Sequence, residues 1–170
     1  MKSFKIYRIL SFILLPFGAL MALNALSGLF VALTNPLLLI VSFIMACVPL
    51  YIFTSSYFFF KGVLQAKPCK ASLKEWIKAN AVVSIIFGAI MFLCALMILA
   101  LINNPAAFID AMKQMPANQQ QGFDKITMPQ KIRLFKTFAM VMLPLSAILI
   151  VHIVITFRMV KLYNHVFDKA

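Results

Sequence analysis

The sequence predicts an all-α integral membrane protein with four transmembrane helices in an antiparallel bundle. Of its 170 residues 64% are hydrophobic, and the mean hydropathy is +0.99. Every charged residue lies outside four apolar stretches, at about residues 9–33, 37–60, 79–102 and 137–157. Each stretch exceeds the roughly 20 residues that a helix needs to cross a ~30 Å hydrocarbon core, where one charge costs about 2.5–3.5 kcal/mol. We therefore expect residues 1–170 to form a single four-helix transmembrane domain.

The first stretch begins like a signal peptide, because Lys2, Lys5 and Arg8 precede it. Its apolar run continues to Leu33, which is longer than the roughly 7–15 residues of a signal-peptide core. We interpret it as a retained signal-anchor helix. The uncharged connection Thr34–Pro36 is only long enough for a tight turn into the second span.

The third connection, residues 103–136, is the longest segment between the predicted spans. Asn104 can cap a helix, and Pro105 suits the first helical turn. Apolar residues then recur at helical spacing with polar residues between them: Phe108, Ile109, Met112 and Met115 against Asp110, Lys113 and Gln114. This pattern predicts a short amphipathic helix on the membrane surface that ends at Pro116. Pro129 is expected to open the fourth helix.

Basic residues dominate the charge: 16 Lys and Arg against 4 acidic residues give a formal charge of +12. In this apolar chain the excess points to the anionic headgroups of a lipid bilayer, and not to nucleic acid. Eleven of the bases lie in the N-terminus, the second connection and the C-terminus, and five lie in the third connection. The positive-inside rule therefore predicts that both termini lie in the cytoplasm. We expect the membrane to be the bacterial inner membrane. The group Lys131, Arg133 and Lys136 argues locally against this orientation.

An internal similarity links the two halves of the chain. Phe17–Met21 reads FGALM, and Phe87–Met91 reads FGAIM. Both copies end in Asn-Pro, at Asn35-Pro36 and at Asn104-Pro105. One interpretation is a duplicated helical hairpin related about the membrane normal. The other is chance similarity, because apolar helices are built from few residue types.

Small residues predict where the helices approach one another. They recur at intervals of three, four and seven: Gly18, Ala25 and Gly28 in the first span, and Ser84, Gly88 and Ala95 in the third. Such residues let helix backbones come close in a membrane, where they favour association. We expect them to serve packing within the bundle, with a homodimer face as the alternative. Asn24, near mid-membrane, is expected to form a hydrogen bond to another helix.

His152 is the side chain within a predicted span that titrates nearest to neutral pH. Thr156 lies one turn further along the same face, and the second span places Tyr51, Thr54 and Ser55 in the corresponding half. One interpretation is an intramembrane polar cluster in which His152 handles a proton or a ligand. The other is a neutral imidazole that hydrogen-bonds a hydroxyl and holds the second and fourth spans together.

The absence of several residue types and motifs excludes further classes of membrane protein. The spans contain no Asp or Glu, which argues against proton-coupled antiport of the small multidrug transporter type. The absence of Cys-x-x-Cys excludes four-helix thiol oxidases and vitamin K epoxide reductases, and one intramembrane histidine cannot ligate a haem from both sides. Met112, Met115 and Met128 suit copper(I) by ligand type, but two of them are explained by the amphipathic helix. We predict no metal, no cofactor and no catalytic residue.

The leading hypothesis is a non-enzymatic accessory or scaffold subunit of a membrane complex, with a membrane-protein partner or self-association. This layout is like that of many small bacterial membrane proteins. The alternative is a small permease or channel that acts as a homo-oligomer and is lined by the polar residues Tyr51, Thr54, Ser55, His152 and Thr156. An enzyme that acts on lipid or quinone, with His152 as acid or base, is third; such chemistry needs a second positioned group, which the sequence does not offer.

Overall fold

The computed structural model describes residues 2–32, 36–114, 123 and 126–167. These residues form helices and no β-strand, which confirms the all-α class. The helices are α1 (Lys2–Ala32), α2 (Pro36–Tyr57), α3 (Ala71–Ile102), α4 (Pro105–Lys113) and α5 (Met128–Leu162). A π-helical turn, Phe58–Val63, continues α2, and a 3-10 turn, Asn164–Val166, follows α5. Among the described residues, α1, α2 with its π-helical turn, α3 and α5 are long and apolar enough to cross a membrane.

Three of the helices extend beyond the apolar stretches that predict them. The first begins at Lys2 and the third at Ala71, so both include residues with charged side chains. Lys and Glu are good helix formers, and they allow a helix to continue past the hydrocarbon boundary into the headgroup layer. The fourth begins at Met128, where the side-chain oxygen Oε1 of Gln130 accepts from the Thr127 backbone N–H at 2.9 Å. Pro129 lies in its first turn, as predicted.

The π-helical turn at the end of α2 is not predicted by the sequence. Within it the Leu64 N–H donates to the Phe59 carbonyl five residues earlier, at 3.0 Å. A π-turn rotates less per residue than an α-turn, so two consecutive side chains can both face the core. Phe58 stacks on Phe167 at 5.0 Å between ring centroids, and Phe59 packs against Tyr7 at 4.6 Å. Both phenylalanines are fully buried.

The chain divides into two compact units, and α3 and α5 contribute to both. Unit 1 comprises Met1–Gly88 and Ile148–Ala170, and unit 2 comprises Ala89–Ala147. The core of unit 1 is apolar and aromatic, with members that include Tyr7, Leu14, Tyr51, Ile52, Phe58, Phe59, Ile77, Leu149 and Ile153. The expectation of a single domain, like that of a duplicated hairpin, stays a prediction.

Unit 2 contains the predicted short helix. The Asn104 side chain accepts from the Ala107 N–H at 3.3 Å and caps α4. Phe108 does not lie on a free membrane-facing surface, because it is buried against the ring of Phe135 in α5 at 5.7 Å. On the exposed side Asp110 pairs with Lys113 at 3.5 Å. Met115 and Pro116, which were part of the predicted pattern, lie outside the described residues.

The start of α1, the end of α2, the start of α3 and the end of α5 meet at one end of unit 1, which we call the basic end. Phe4 of α1 packs edge-on against Tyr163 at 6.1 Å. The Cys69 N–H donates to the Val166 carbonyl at 3.0 Å, and Lys74 Nζ donates to Asn164 Oδ1 at 2.6 Å. Consecutive long helices therefore alternate in direction at this end of unit 1.

Candidate functional site

A cluster of polar side chains lies buried in unit 1 where α1, α2 and α5 meet. It contains two residues of α1, one of α2 and two of α5: Tyr7, Ser11, Tyr51, His152 and Thr156. We call these five residues the polar cluster. Each of them is 0% exposed. Because neither water nor lipid reaches them, every polar atom in the cluster must find its partner inside the protein.

The imidazole of His152 connects α5 to both of the other helices. Its Nδ1 lies 2.7 Å from the Tyr51 hydroxyl of α2, and its Nε2 lies 3.0 Å from the Ser11 hydroxyl of α1. The ring also stacks on Tyr7, with 4.3 Å between centroids and 24° between planes. Both ring nitrogens and one ring face are thus engaged by neighbouring helices.

Thr156 joins the two tyrosines. Its hydroxyl donates to the His152 carbonyl one turn earlier at 2.8 Å. The same oxygen lies 2.9 Å from the Tyr7 hydroxyl and 2.8 Å from the Tyr51 hydroxyl. A threonine oxygen has one proton and two lone pairs, so Thr156 is used to its full capacity.

Counting protons assigns a direction to each bond when the imidazole is neutral. The Thr156 proton goes to the His152 carbonyl, so both tyrosines donate to Thr156. Tyr51 then has no proton left for the imidazole, and Nδ1 must carry the ring proton and donate to Tyr51. Nε2 accepts from the Ser11 hydroxyl. A second ring proton would face the Ser11 proton, and Ser11 would have to turn away.

This arrangement is better suited to holding the three helices together than to catalysis or ligand binding. The cluster contains no carboxylate, and its hydroxyl and imidazole atoms are bonded to one another. Among the described residues, no group of three or more His, Cys, Asp or Glu side chains is placed to hold a metal ion. The polar cluster can therefore fix three helices in register, and in this conformation it presents no free polar atom to a ligand.

The structure brings together some of the residues that the sequence singles out. His152, Thr156 and Tyr51 belong to the polar cluster. Ser55 donates to the Ile52 carbonyl at 3.2 Å and lies beside the two phenol groups. Thr54 instead donates to carbonyls of its own helix, at 2.6 Å to Leu50 and 3.2 Å to Tyr51. A functional role for these residues stays a prediction.

Sequence reasoning missed Tyr7 and Ser11, and a signal for them exists. The face of α1 that carries the predicted packing residues Ala25 and Gly18 also includes Met21, at spacings of four and three along the helix. Continued toward the N-terminus, the same spacing reaches Leu14, Ser11 and Tyr7, and all six residues are buried. Tyr7 lies before the predicted start of the first span, at residue 9, which is why a search confined to the apolar stretch does not include it.

The predicted packing positions of α1 contact α2. An added Cβ at Gly18 would lie 3.1–3.3 Å from Ile52, and one at Gly28 would lie 2.9 Å from the Ser42 hydroxyl. Ala25, between them, is buried. The Asn24 prediction is wrong, because Nδ2 donates to the Leu20 carbonyl of its own helix at 3.0 Å and the side chain is exposed.

The three predicted packing residues of α3, Ser84, Gly88 and Ala95, are also buried. The Ser84 hydroxyl donates to the Cys47 carbonyl of α2 at 3.4 Å, within unit 1.

Compared with known proteins, the chain matches no protein-family model, no curated protein and no solved structure.

Proposed function

We propose that this chain is a multi-pass protein of the bacterial inner membrane that works without catalytic chemistry, as an accessory or scaffold subunit of a membrane complex. The observation that carries the proposal is the closed polar cluster. A catalytic or substrate-binding side chain needs an atom free to meet its substrate. Both nitrogens of His152 are already bonded to hydroxyls of other helices. The intramembrane histidine is thereby better suited to holding helices than to handling a substrate.

The exposure of α3 supports a lateral partner. In the most apolar window of α3 only 11% of the residues are buried, against 44% in the span that includes α2. Large side chains such as Ile90, Leu93 and Met97 are more than half exposed. Lipid tails and a partner helix compete for such a surface, and close packing decides in favour of the partner.

Affinity purification in a mild detergent, followed by mass spectrometry, tests the proposal. We expect another membrane protein to co-purify in stoichiometric amount. Leu93→Trp, which places a bulky ring on the exposed side of α3, should reduce its recovery, whereas Leu23→Trp on α1 should not. The two leucines are a matched pair, 60% and 62% exposed. Recovery of the chain alone under several extraction conditions would contradict the scaffold function.

The orientation is part of the proposal. The excess of bases in the termini and the second connection supports placing the basic end in the cytoplasm. Single cysteines at Gln65 and Gln120, introduced after the native cysteines are replaced, test it in intact cells. A membrane-impermeant maleimide should label position 120 and not position 65. The reverse result would mean that the protein is inverted.

The permease alternative is favoured by one observation, the prolines inside α2 and α5. Pro49 and Pro144 each remove a backbone hydrogen bond from their own helix, and such breaks can act as hinges. A permease would have to open the cluster by a movement there. If crosslinking in native membranes captures a homodimer, and His152→Ala abolishes uptake of a solute while the protein stays folded, the permease replaces the scaffold.

A further inference from the structure

We propose that a cavity at the basic end of unit 1 binds the phosphate-bearing headgroup of an anionic membrane lipid. The cavity has a volume of about 220 Å³. Its lining comes from the π-helical turn, the connection that follows it and the turn after α5: Gly62, Val63, Ala66, Pro68, Tyr163, His165 and Val166. Pockets for drug-sized ligands measure ~300–1,000 Å³, so this one suits a smaller group.

The cavity lies at headgroup depth. The apolar span that contains α2 ends at Val63, and the span of α5 ends at Leu162. Gly62 and Val63 are therefore the last two residues of their span, and the other lining residues lie outside both spans. Lipid phosphates occupy the layer directly outside the hydrocarbon core, so a lipid can place its headgroup here while its acyl chains remain in the bilayer.

The walls of the cavity are held by contacts within the protein. The hydrogen bonds from Cys69 to Val166 and from Lys74 to Asn164 fasten the connection and the start of α3 to the turn after α5. At Gly62 an added Cβ would lie 3.0 Å from the Cys69 sulfur, so the segments touch without a gap. Burial raises the pKa of the Cys69 thiol, so this side chain stays protonated near neutral pH. A preformed cavity loses little entropy when it binds.

The surroundings favour an anion. The connection that forms one wall is rich in lysine, and Lys67 lies between the lining residues Ala66 and Pro68. Glu75 is the single acid between Lys61 and Lys78, and it is paired with Lys78 at 3.2 Å. The lining also includes Tyr163 and His165, which carry a phenol and an imidazole group, and the two ring centroids lie 5.9 Å apart. Phosphate oxygens accept hydrogen bonds from such groups, and nearby lysines strengthen them.

The backbone gives an independent indication. Ala66 has φ 52°, which among the described residues is the one positive φ at a residue other than glycine. This conformation costs an alanine roughly 1–2 kcal/mol. Strained backbone of this kind concentrates at ligand sites, where the surrounding structure enforces it. Here it shapes the wall that carries Lys67.

Native mass spectrometry of the full chain tests the site. The protein is extracted from nanodiscs that contain equal amounts of phosphatidylglycerol and phosphatidylcholine, and the retained lipids are counted. We expect one phosphatidylglycerol to be retained. The variant Tyr163→Phe/His165→Ala, which leaves the count of Lys and Arg unchanged, should lower this retention about fivefold or more, in line with the loss of ~1 kcal/mol. Lys5→Gln, which removes a base of α1 that does not line the cavity, should retain the lipid.

Each other outcome overturns the proposal. Equal retention of the two lipids would mean that the cavity does not select anionic headgroups. A double variant that retains phosphatidylglycerol like the native chain would mean that general charge attraction holds the lipid. Displacement of the lipid by inorganic phosphate in the buffer would assign the cavity to a free anion.

A second measurement does not depend on the variants folding. A phospholipid with a photoreactive headgroup is crosslinked to the native chain, and the modified peptides are mapped. We expect crosslinks within 62–68 and 163–166. Crosslinks spread evenly over the bases of the other segments would overturn the proposal.

Discussion

The two halves of the α1–α2 hairpin satisfy their polar side chains in different ways. In the half near the basic end, Tyr7 and Tyr51 reach across to Thr156 of α5, and both are fully buried. In the half near the connection between α1 and α2, Asn24 and Ser27 donate to carbonyls of their own helix, at 3.0 Å each, and both are exposed. Polar side chains thus link three helices in the first half, whereas Asn24 and Ser27 in the second half bond within α1.

Packing follows the same division. Around the polar cluster, Leu14, Ile52 and Ile153 are fully buried. In the other half two open grooves, of about 300 and 240 Å³, flank Ala25. A polar residue in a membrane therefore stabilises the fold only where another helix offers a partner, since otherwise it turns to its own backbone at little cost.

This division predicts that His152 contributes far more to the free energy of unfolding than Asn24. His152→Ala removes two bonds between helices and the stacking on Tyr7, and it leaves a cavity. We expect it to lower the free energy of unfolding by about 2–4 kcal/mol. Asn24→Ala removes a bond within one helix and should change this free energy by less than ~0.5 kcal/mol. Unfolding by SDS in mixed micelles, followed by far-UV circular dichroism, measures both; equal losses would contradict the division.

Two glycines test whether the two halves also differ in how tightly they are packed. A Cβ at Gly62 would meet Cys69, Val166 and Phe58 at 3.0–3.2 Å, and all three are buried. Gly62→Ala should therefore lower the free energy of unfolding by about 1–2 kcal/mol. A Cβ at Gly28 meets mainly the Ser42 hydroxyl, which can rotate, and alanine favours the helix. Gly28→Ala should be close to neutral in the same unfolding experiment, and a larger loss there than at Gly62 would show that the second half is the tighter one.

A double-mutant cycle measures one link of the polar cluster directly. Tyr7→Phe removes the donor to Thr156, and Thr156→Val removes the acceptor. Bonds between membrane helices are worth ~0.6 kcal/mol on average and up to ~1.7. We expect a coupling energy in the upper part of this range, because the pair is fully buried. A cycle with Tyr57, which is exposed, in place of Tyr7 is the control, and equal coupling in both would refute the assigned bond.

The smallest effect concerns a buried hydroxyl outside the polar cluster. Among the described residues, the Ser56 hydroxyl is buried without a hydrogen-bond partner. Ser56→Ala should leave the stability unchanged or raise it by up to ~1 kcal/mol, because no bond is lost and a desolvated group is removed. Ser11→Ala, which leaves Nε2 of His152 unpaired, should lower it. A stability loss for Ser56→Ala that equals the loss for Ser11→Ala would mean that Ser56 has a partner.

Hydropathy predicts the four long helices because the membrane places one strong requirement on about 20 residues at a time. It also predicts that Tyr51, His152 and Thr156 lie at a similar depth. It does not predict the π-helical turn, because the choice between α- and π-bonding depends on where Phe58 and Phe59 find room in the core. Whether the Asn24 side chain bonds its own helix or another one likewise depends on tertiary structure, because the residues beside it in the sequence do not determine how close a second helix lies.

The same limit applies to the polar cluster and to the cavity at the basic end. The spacing along α1 indicates that Tyr7 and Ser11 lie on the same helix face as Gly18. Only the fold shows that this face contacts His152. The cavity is formed by segments about one hundred residues apart in sequence, joined through Cys69 and Val166. No periodicity within either segment indicates that they meet.

The π-helical turn makes the basic end sensitive to the length of the chain as well as to its side chains. Each residue of an α-helix turns the chain by about 100°. Deleting one residue within Phe58–Val63 would let this segment return to α-helical bonding, and the connection after it would leave in another direction. Cys69 would then no longer reach Val166. Over evolutionary time, an exchange of one apolar residue for another in this turn should be accepted far more readily than a single-residue gap.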